Sequence, residues 1–248
     1  MLCILWIWSI FSLTMPTLED LKNRHSVRSF TNEELSKDVI SKLNAEITMI
    51  NTHEAGLKFS LCVNDNNPFK TFKQSYGFFK NANNYIACVV EPHYKHSYQR
   101  AGFFAQQIVM KAYSLGLGTC YVGGTYDRDA VSAVMKAGEK LLFIILVGYE
   151  NDDVKAPAIA RLAYNLIHIK KMCAMDFLSA EGDKEVLFAE NQLLSNALEA
   201  VAVAPSSLNK RPARVKYENG NISMYAESND NIVSISILGL DQFSVEKV

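Results

Sequence analysis

Two arginines four residues apart, Arg24 and Arg28, with His25 and Ser26 between them, are the side chains of this sequence best suited to gripping an anion. Guanidinium forks match phosphate oxygens in a bidentate way that lysine cannot, and the serine hydroxyl and imidazole add polar contacts beside the first fork. The same residues also suit the charged end of a helix followed by a turn. Near the other end of the chain, Ala204-Pro205-Ser206-Ser207-Leu208-Asn209 gathers hydroxyl and amide groups that can bond to the edge of a heterocycle, although Pro-Ser-Ser is also a common helix-stopping turn.

The elements around these residues follow from hydrophobic spacing. Tyr98, Ala101, Ala105, Ile108, Ala112 and Leu115 recur at helical intervals over Tyr98 to Leu117, and the run gives way to Gly116-Leu117-Gly118 and then Thr119-Cys120-Tyr121-Val122-Gly123-Gly124. A long buried helix thus delivers a loop whose two adjacent glycines let backbone N–H groups approach a ligand with no Cβ in the way; a helix C-cap followed by a strand and turn fits the same residues. Helices are predicted over Glu33 to Ile50, Asp129 to Lys136 and Glu185 to Val203, the last leading into the Pro-Ser-Ser segment. Lys58 to Val63, Tyr85 to Val90 and Leu141 to Val147 read as strands, the last apolar enough to be central in a sheet. Ala213–Tyr217 and Ile222–Ala226 form a hairpin through Asn219-Gly220, and Gly148 through Leu166 reads as an irregular connection.

Four segments, RHSVRSF at 24–30, GLGTCYVGG at 116–124, LLFIILVGYE at 141–150 and APSSLNKRPARV at 204–215, resemble the marks of the FMN-dependent nitroreductase family, over a span from about Met15 to Phe243. The resemblance implies an α/β (α+β) fold, a mixed sheet flanked by helices. It implies FMN as cofactor: Arg24 and Ser26, beside His25 and with Lys170 and Lys171 as equivalents of a late basic pair, would neutralise the phosphate. Arg28 would stand at the pyrimidine end of the ring. Backbone N–H groups of Val122, Gly123 and Gly124, after the aromatic Tyr121, would approach flavin N5, and Pro205, Ser206, Ser207 and Asn209 would contact the ring from the other side. The implied reaction is ping-pong, with NADH or NADPH as electron donor and a small-molecule acceptor such as a nitroaromatic or quinone, and it requires no side-chain nucleophile or triad.

The order of the segments departs from the family pattern. Ordinary members carry the Ala-Pro-Ser segment soon after the Arg-His-Ser one, whereas Leu43 to Asn51 holds nothing like it and the segment comes about 180 residues later. Ordinary members are homodimers with FMN at the subunit interface. This chain is therefore similar to a subfamily with two tandem copies in one chain: a first half over 15–155, a second, abbreviated half over 156–248, and a monomeric pseudo-dimer favoured over a homodimer. Arg211 and Ala213 stand where the family has glutamine and tryptophan. Those departures and the short second half leave a flavin-binding protein without turnover as the alternative, and other flavin chemistry, such as dehalogenation or flavin fragmentation, also stays open.

Composition fits this picture. At 248 residues, 49% hydrophobic and 21% charged, the chain can bury one large core or two smaller ones. A net charge of −1 provides no basic field for nucleic acid. Five cysteines lie without metal-ligand spacing, an odd count that suits a reducing compartment. Cys120 reads as a small packing residue, and His93 and His96 as loop residues rather than metal ligands. Residues 1–14 are uncharged and apolar but short of the ~20 residues of a spanning helix. The favoured reading is an extension upstream of a start at Met15, giving a cytoplasmic protein; a short membrane-associated or signal segment is the alternative.

Overall fold

The computed structural model describes residues 16–70, 77–151, 172–206 and 210–226. Helix α1 (Leu18–Asn23) is short and buries no residue, and it begins with a reciprocal cap between Thr17 and Asp20. Helix α2 (Lys37–His53) presents Val39, Leu43, Ile47 and Ile50 as one buried stripe. Its start is four residues later than the predicted Glu33, because Ser36 accepts a hydrogen bond from Val39 N–H and caps the helix there. Helix α3 (Ser97–Ser114) buries Ala101, Ala105, Ile108, Val109 and Ala112, side chains small enough to let it lie close to the sheet, and it ends at Gly116, where φ is +77°.

The sheet it covers has four antiparallel strands in the order β1 (Leu57–Cys62), β2 (Tyr85–Val90), β4 (Lys140–Gly148), β3 (Gly118–Val122). β4 is internal and, after Lys140, wholly buried, as its apolar run predicts. Both faces are covered, so β2 and β4 are continuously hydrophobic rather than alternating. Phe59, Ile86, Cys88, Phe143, Ile145 and Val147 pack with α2 and α3 on one face. Tyr85, Ala87, Cys120, Val122, Ile144 and Leu146 form the other core with Val27, Phe30 and Tyr126.

A second, three-stranded sheet runs β5 (Leu178–Ala180), β6 (Ala213–Glu218), β7 (Asn221–Ala226), the first pair parallel and the second antiparallel. The β6–β7 hairpin turns at Asn219 (φ 49°) and Gly220 (φ 76°), as predicted. Its core of Phe177, Leu178, Val215 and Ala213 is closed by Leu194, Leu198 and Val201 from a helix.

That helix corrects one expectation. The single helix predicted over Glu185 to Val203 is two, α4 (Lys184–Glu190) and α5 (Gln192–Val203), broken at Asn191. Asn191 leaves helical geometry (φ −112°, ψ 91°), its Oδ1 accepts from Leu194 N–H, and its amide donates to Tyr217 Oη. The helix predicted over Asp129 to Lys136 does not form. Its polar groups are taken by distant side chains instead: Ser132 N–H donates to Tyr85 Oη, Ser132 Oγ to Asp65, and Val134 O accepts from Lys58 Nζ. Of the connection predicted over Gly148 to Leu166, residues 152–166 lie outside the described residues, as do 1–14 and the whole apolar run Ile232 to Leu240. Among the described residues no helix is long and apolar enough to cross a membrane.

Candidate functional site

The Arg24–Phe30 segment leaves α1 in extended geometry, Arg24 having φ −63° and ψ 128°, and is threaded onto the sheet by backbone bonds. Ser26 pairs in parallel with Thr119 of β3, and Val27 N–H donates to Thr119 O at 2.9 Å. Phe30 N–H donates to Lys80 O, Lys80 N–H to Arg28 O, and Thr31 N–H to Tyr149 O. Two glycines that face each other across the β3–β4 ladder, Gly118 and Gly148, make room for it. A Cβ on Gly118 would lie 2.6 Å from Val27 Cγ2, and one on Gly148 would lie 3.0 Å from Phe30 Cδ1.

Extended backbone alternates its side chains. Val27 and Ser29 are buried, whereas Arg24, Ser26 and Arg28 are half-buried and share the opposite side. At strand rise the two arginine Cα atoms are about 13 Å apart, a separation that lets them address different ends of one elongated ligand. Both guanidinium groups act electrostatically on Cys120 in β3, and Arg24 also on Tyr121. Burial pushes the Arg24 guanidinium below its ordinary value, partly offset by Tyr121 and Cys120. Among the described residues, neither the Arg24 nor the Arg28 guanidinium has a carboxylate partner or a hydrogen bond. A cation taken from water without a counter-charge is costly, and an anionic ligand would remove that cost.

His25 points elsewhere. It is largely exposed, and its Nε2 lies 2.9 Å from Glu150 Oε1. Tyr121 turns its ring toward α3, edge-on to Phe143 at 5.6 Å, and donates its hydroxyl to Gln106 Oε1; Val122 turns into the opposite core. Burial raises the Cys120 thiol, with Arg28, Arg24 and a hydrogen bond from Ser26 pulling back, so it is a neutral packing residue between the arginines. At the end of β3, a Cβ at Gly123 or Gly124 would meet nothing within 4 Å, so the backbone there borders open space.

The later part of the chain reaches this region through a helix. α1, which leads into Arg24, packs on α5, which leads into Ala204-Pro205-Ser206, and Lys22 Nζ pairs with Glu199 Oε2 at 2.6 Å. Pro205 and Ser206 are half-buried, and Ser206 Oγ accepts from Arg211 N–H. Lys170, Lys171, Ser207 and Asn209 lie outside the described residues.

One residue escaped sequence reasoning. Arg128 donates to Gly123 O at 3.1 Å and to Leu141 O at 2.7 Å, and lies over the Tyr126 ring. All these oxygens are backbone carbonyls, which no side-chain pattern announces. Among the described residues no group of three His, Cys, Asp or Glu could hold a metal.

Comparison with known proteins bears on the family and the fold. No curated protein matches the sequence. Among solved structures, a "putative nitroreductase" from Thermotoga maritima MSB8 is 21% identical, with 94% of this chain and 83% of that one covered and a TM-score of 0.54, a likeness of fold. An FMN-dependent nitroreductase from Clostridium difficile R20291 (20% identity, 63% of this chain and 100% of that one, TM-score 0.45) and a nitroreductase with bound FMN from Desulfitobacterium hafniense DCB-2 (18%, 58% and 94%, 0.45) are more distant in shape. The sequence profile of the family described as "Putative TM nitroreductase" matches residues 16–239, nearly the whole chain, and the chain belongs to that nitroreductase family.

Proposed function

We propose that this protein is an FMN-dependent oxidoreductase that takes electrons from NADH or NADPH and passes them, in ping-pong fashion, to a small electrophile such as a nitroaromatic or quinone. The observation that carries the reading is the pair of half-buried guanidinium groups, without acidic partners among the described residues, on one side of an extended segment beside a strand that ends in an open glycine turn. That donor set suits a ligand with an anion at one end and a planar acceptor-rich ring at the other.

Bound FMN would supply the redox chemistry. Arg24 and Ser26 hold the phosphate, with Lys170 and Lys171 added from the later chain. His25, tied to Glu150, supports the segment's edge rather than the anion. Arg28 places positive charge at the pyrimidine end. The N–H groups of Val122, Gly123 and Gly124 bond to the ring edge, where the open turn leaves space for it. Tyr121 backs the strand through its contacts with Phe143 and Gln106. Pro205, Ser206, Ser207 and Asn209 complete the ring's surroundings from the second half. The packing of α1 on α5 supports reading residues 15–155 and 156–248 as two fused halves with one cofactor per chain. The protein's own groups serve to bind, orient and shield; none is asked to act as nucleophile or general acid.

The test is titration of purified protein with FMN alongside gel filtration at low concentration. The reading expects one FMN per chain on a monomer. One FMN shared between two chains would contradict the fused-halves part, and no binding would contradict the whole.

A further inference from the structure

The β2–β4 ladder carries an irregularity beside the candidate site. Cys88 pairs with Phe143 but Val89 pairs with Leu141, so Leu142 is an extra residue in β4. The packing agrees, since Leu142 and Phe143, neighbours in sequence, both enter the helix-side core. Such bulges re-aim backbone groups and are common next to active sites. Here the carbonyls of Leu141 and Leu142 are met by Arg128, Nη1 donating to Leu141 O at 2.7 Å and Nη2 reaching Leu142 O at 3.5 Å. The same Nη2 donates to Gly123 O at 3.1 Å. One planar fork therefore ties the bulge of β4 to the turn that ends β3.

This contact has a consequence for the next amide. Gly123 C=O and Gly124 N–H belong to one peptide unit; no peptide bond in the described residues is cis, and in a planar trans unit the two groups point in opposite directions. Holding the oxygen toward Arg128 thus aims the Gly124 N–H away from it. Gly124 is exposed, its Cα borders open space, and its N–H has no acceptor among the described residues. Two glycines in succession would otherwise let this peptide rotate at little cost.

We infer that Arg128 is a positioning residue, whose fork across the β4 bulge fixes the Gly123–Gly124 peptide so that the Gly124 N–H is presented to the ligand edge. The assignment of that ligand as flavin rests on the function proposed above; the orientation of the peptide does not. Arg128→Lys keeps the charge but replaces the planar fork by a point donor that cannot span three carbonyls.

The experiment is selective ¹⁵N-glycine labelling of wild type, Arg128→Ala and Arg128→Lys, with the Gly124 amide assigned through Gly124→Ala, recorded without and with FMN. In FMN-free wild type the Gly124 resonance should be single and sharp, and in both Arg128 variants it should shift and broaden as the peptide samples both orientations. With FMN, the variants should bind about 2- to 10-fold more weakly, the range of one neutral hydrogen bond, and their bound-flavin absorption band should lie nearer that of free FMN. An unchanged Gly124 resonance in a folded variant overturns the inference. Should Arg128→Ala not fold, Arg128→Lys alone decides. If wild type takes no FMN, the flavin reading fails while the amide comparison still judges Arg128.

Discussion

Gly118→Ala tests how the Arg24–Phe30 segment is seated. The added methyl carbon would lie 2.6 Å from Val27 Cγ2, 2.8 Å from Val27 Cβ and 3.0 Å from Val27 Cγ1. Rotating Val27 about χ1 moves its γ carbons but not its Cβ, so the clash cannot be relieved by a rotamer change. The backbone of residue 27 must move, and it is held by its bond to Thr119 O and by burial of the side chain to 3% exposure. Overpacking of this kind costs about 1–3 kcal/mol, which for a chain of this size lowers the unfolding temperature by roughly 2–12 °C. Because Val27 lies between Ser26 and Arg28, the displacement should also weaken FMN binding. Thermal unfolding followed by circular dichroism, with an FMN titration below the transition, measures both. Gly124→Ala is the contrast, since its Cβ meets nothing: unfolding should be nearly unchanged while FMN affinity falls. An unfolding temperature for Gly118→Ala equal to wild type would refute the packing of the segment on β3.

Three further outcomes follow from the same geometry. Arg24→Ala should weaken FMN binding by about 1.5–3 kcal/mol, or roughly 10- to 140-fold, as the loss of hydrogen bonds to a charged group; unchanged occupancy would place the phosphate elsewhere. His25→Ala should alter stability by no more than about 1 kcal/mol, since its pairing with Glu150 is solvent-exposed, and a large drop in denaturant midpoint would contradict that. Glu46 is buried in α2, and burial holds its carboxyl above the ordinary value of 4.5, with Lys111 pulling partly back. The folded state then holds that proton more tightly than the unfolded state, so this stability is present below pH 4.5 and lost as pH rises through the raised value. Glu46→Gln should therefore gain stability relative to wild type on going from acid to neutral pH in urea unfolding, and a constant difference would exclude the burial effect.

The parts of the fold legible in sequence are those set by local pattern. The apolar run Tyr85 to Val90 is β2 to the residue, and Asn219-Gly220 fixes a hairpin because both positions need positive φ. The misread parts are those where a distant group wins. Asp129 to Lys136 has helical composition, yet Tyr85, Asp65 and Lys58 capture its polar groups. Asn191 reads as one polar residue on a helix, but its side chain caps the next turn and bonds to Tyr217, which stands 26 residues on. In the candidate site the residue types were readable at Arg24, Ser26, Arg28 and the 123–124 glycines. Their seating was not, because it depends on Gly118 and Gly148 facing each other across a ladder, and Arg128 was hidden because it serves carbonyls.

Whether this chain turns over electrons through a bound flavin is decided by the visible spectrum of the purified, FMN-reconstituted protein. It would be recorded before and after anaerobic addition of NADH and then NADPH. An oxidoreductase should show a flavin spectrum that bleaches with at least one of the two donors. A spectrum that stays oxidised with both would point instead to a flavin-binding protein without turnover, and a protein that cannot be loaded with FMN would contradict the site itself.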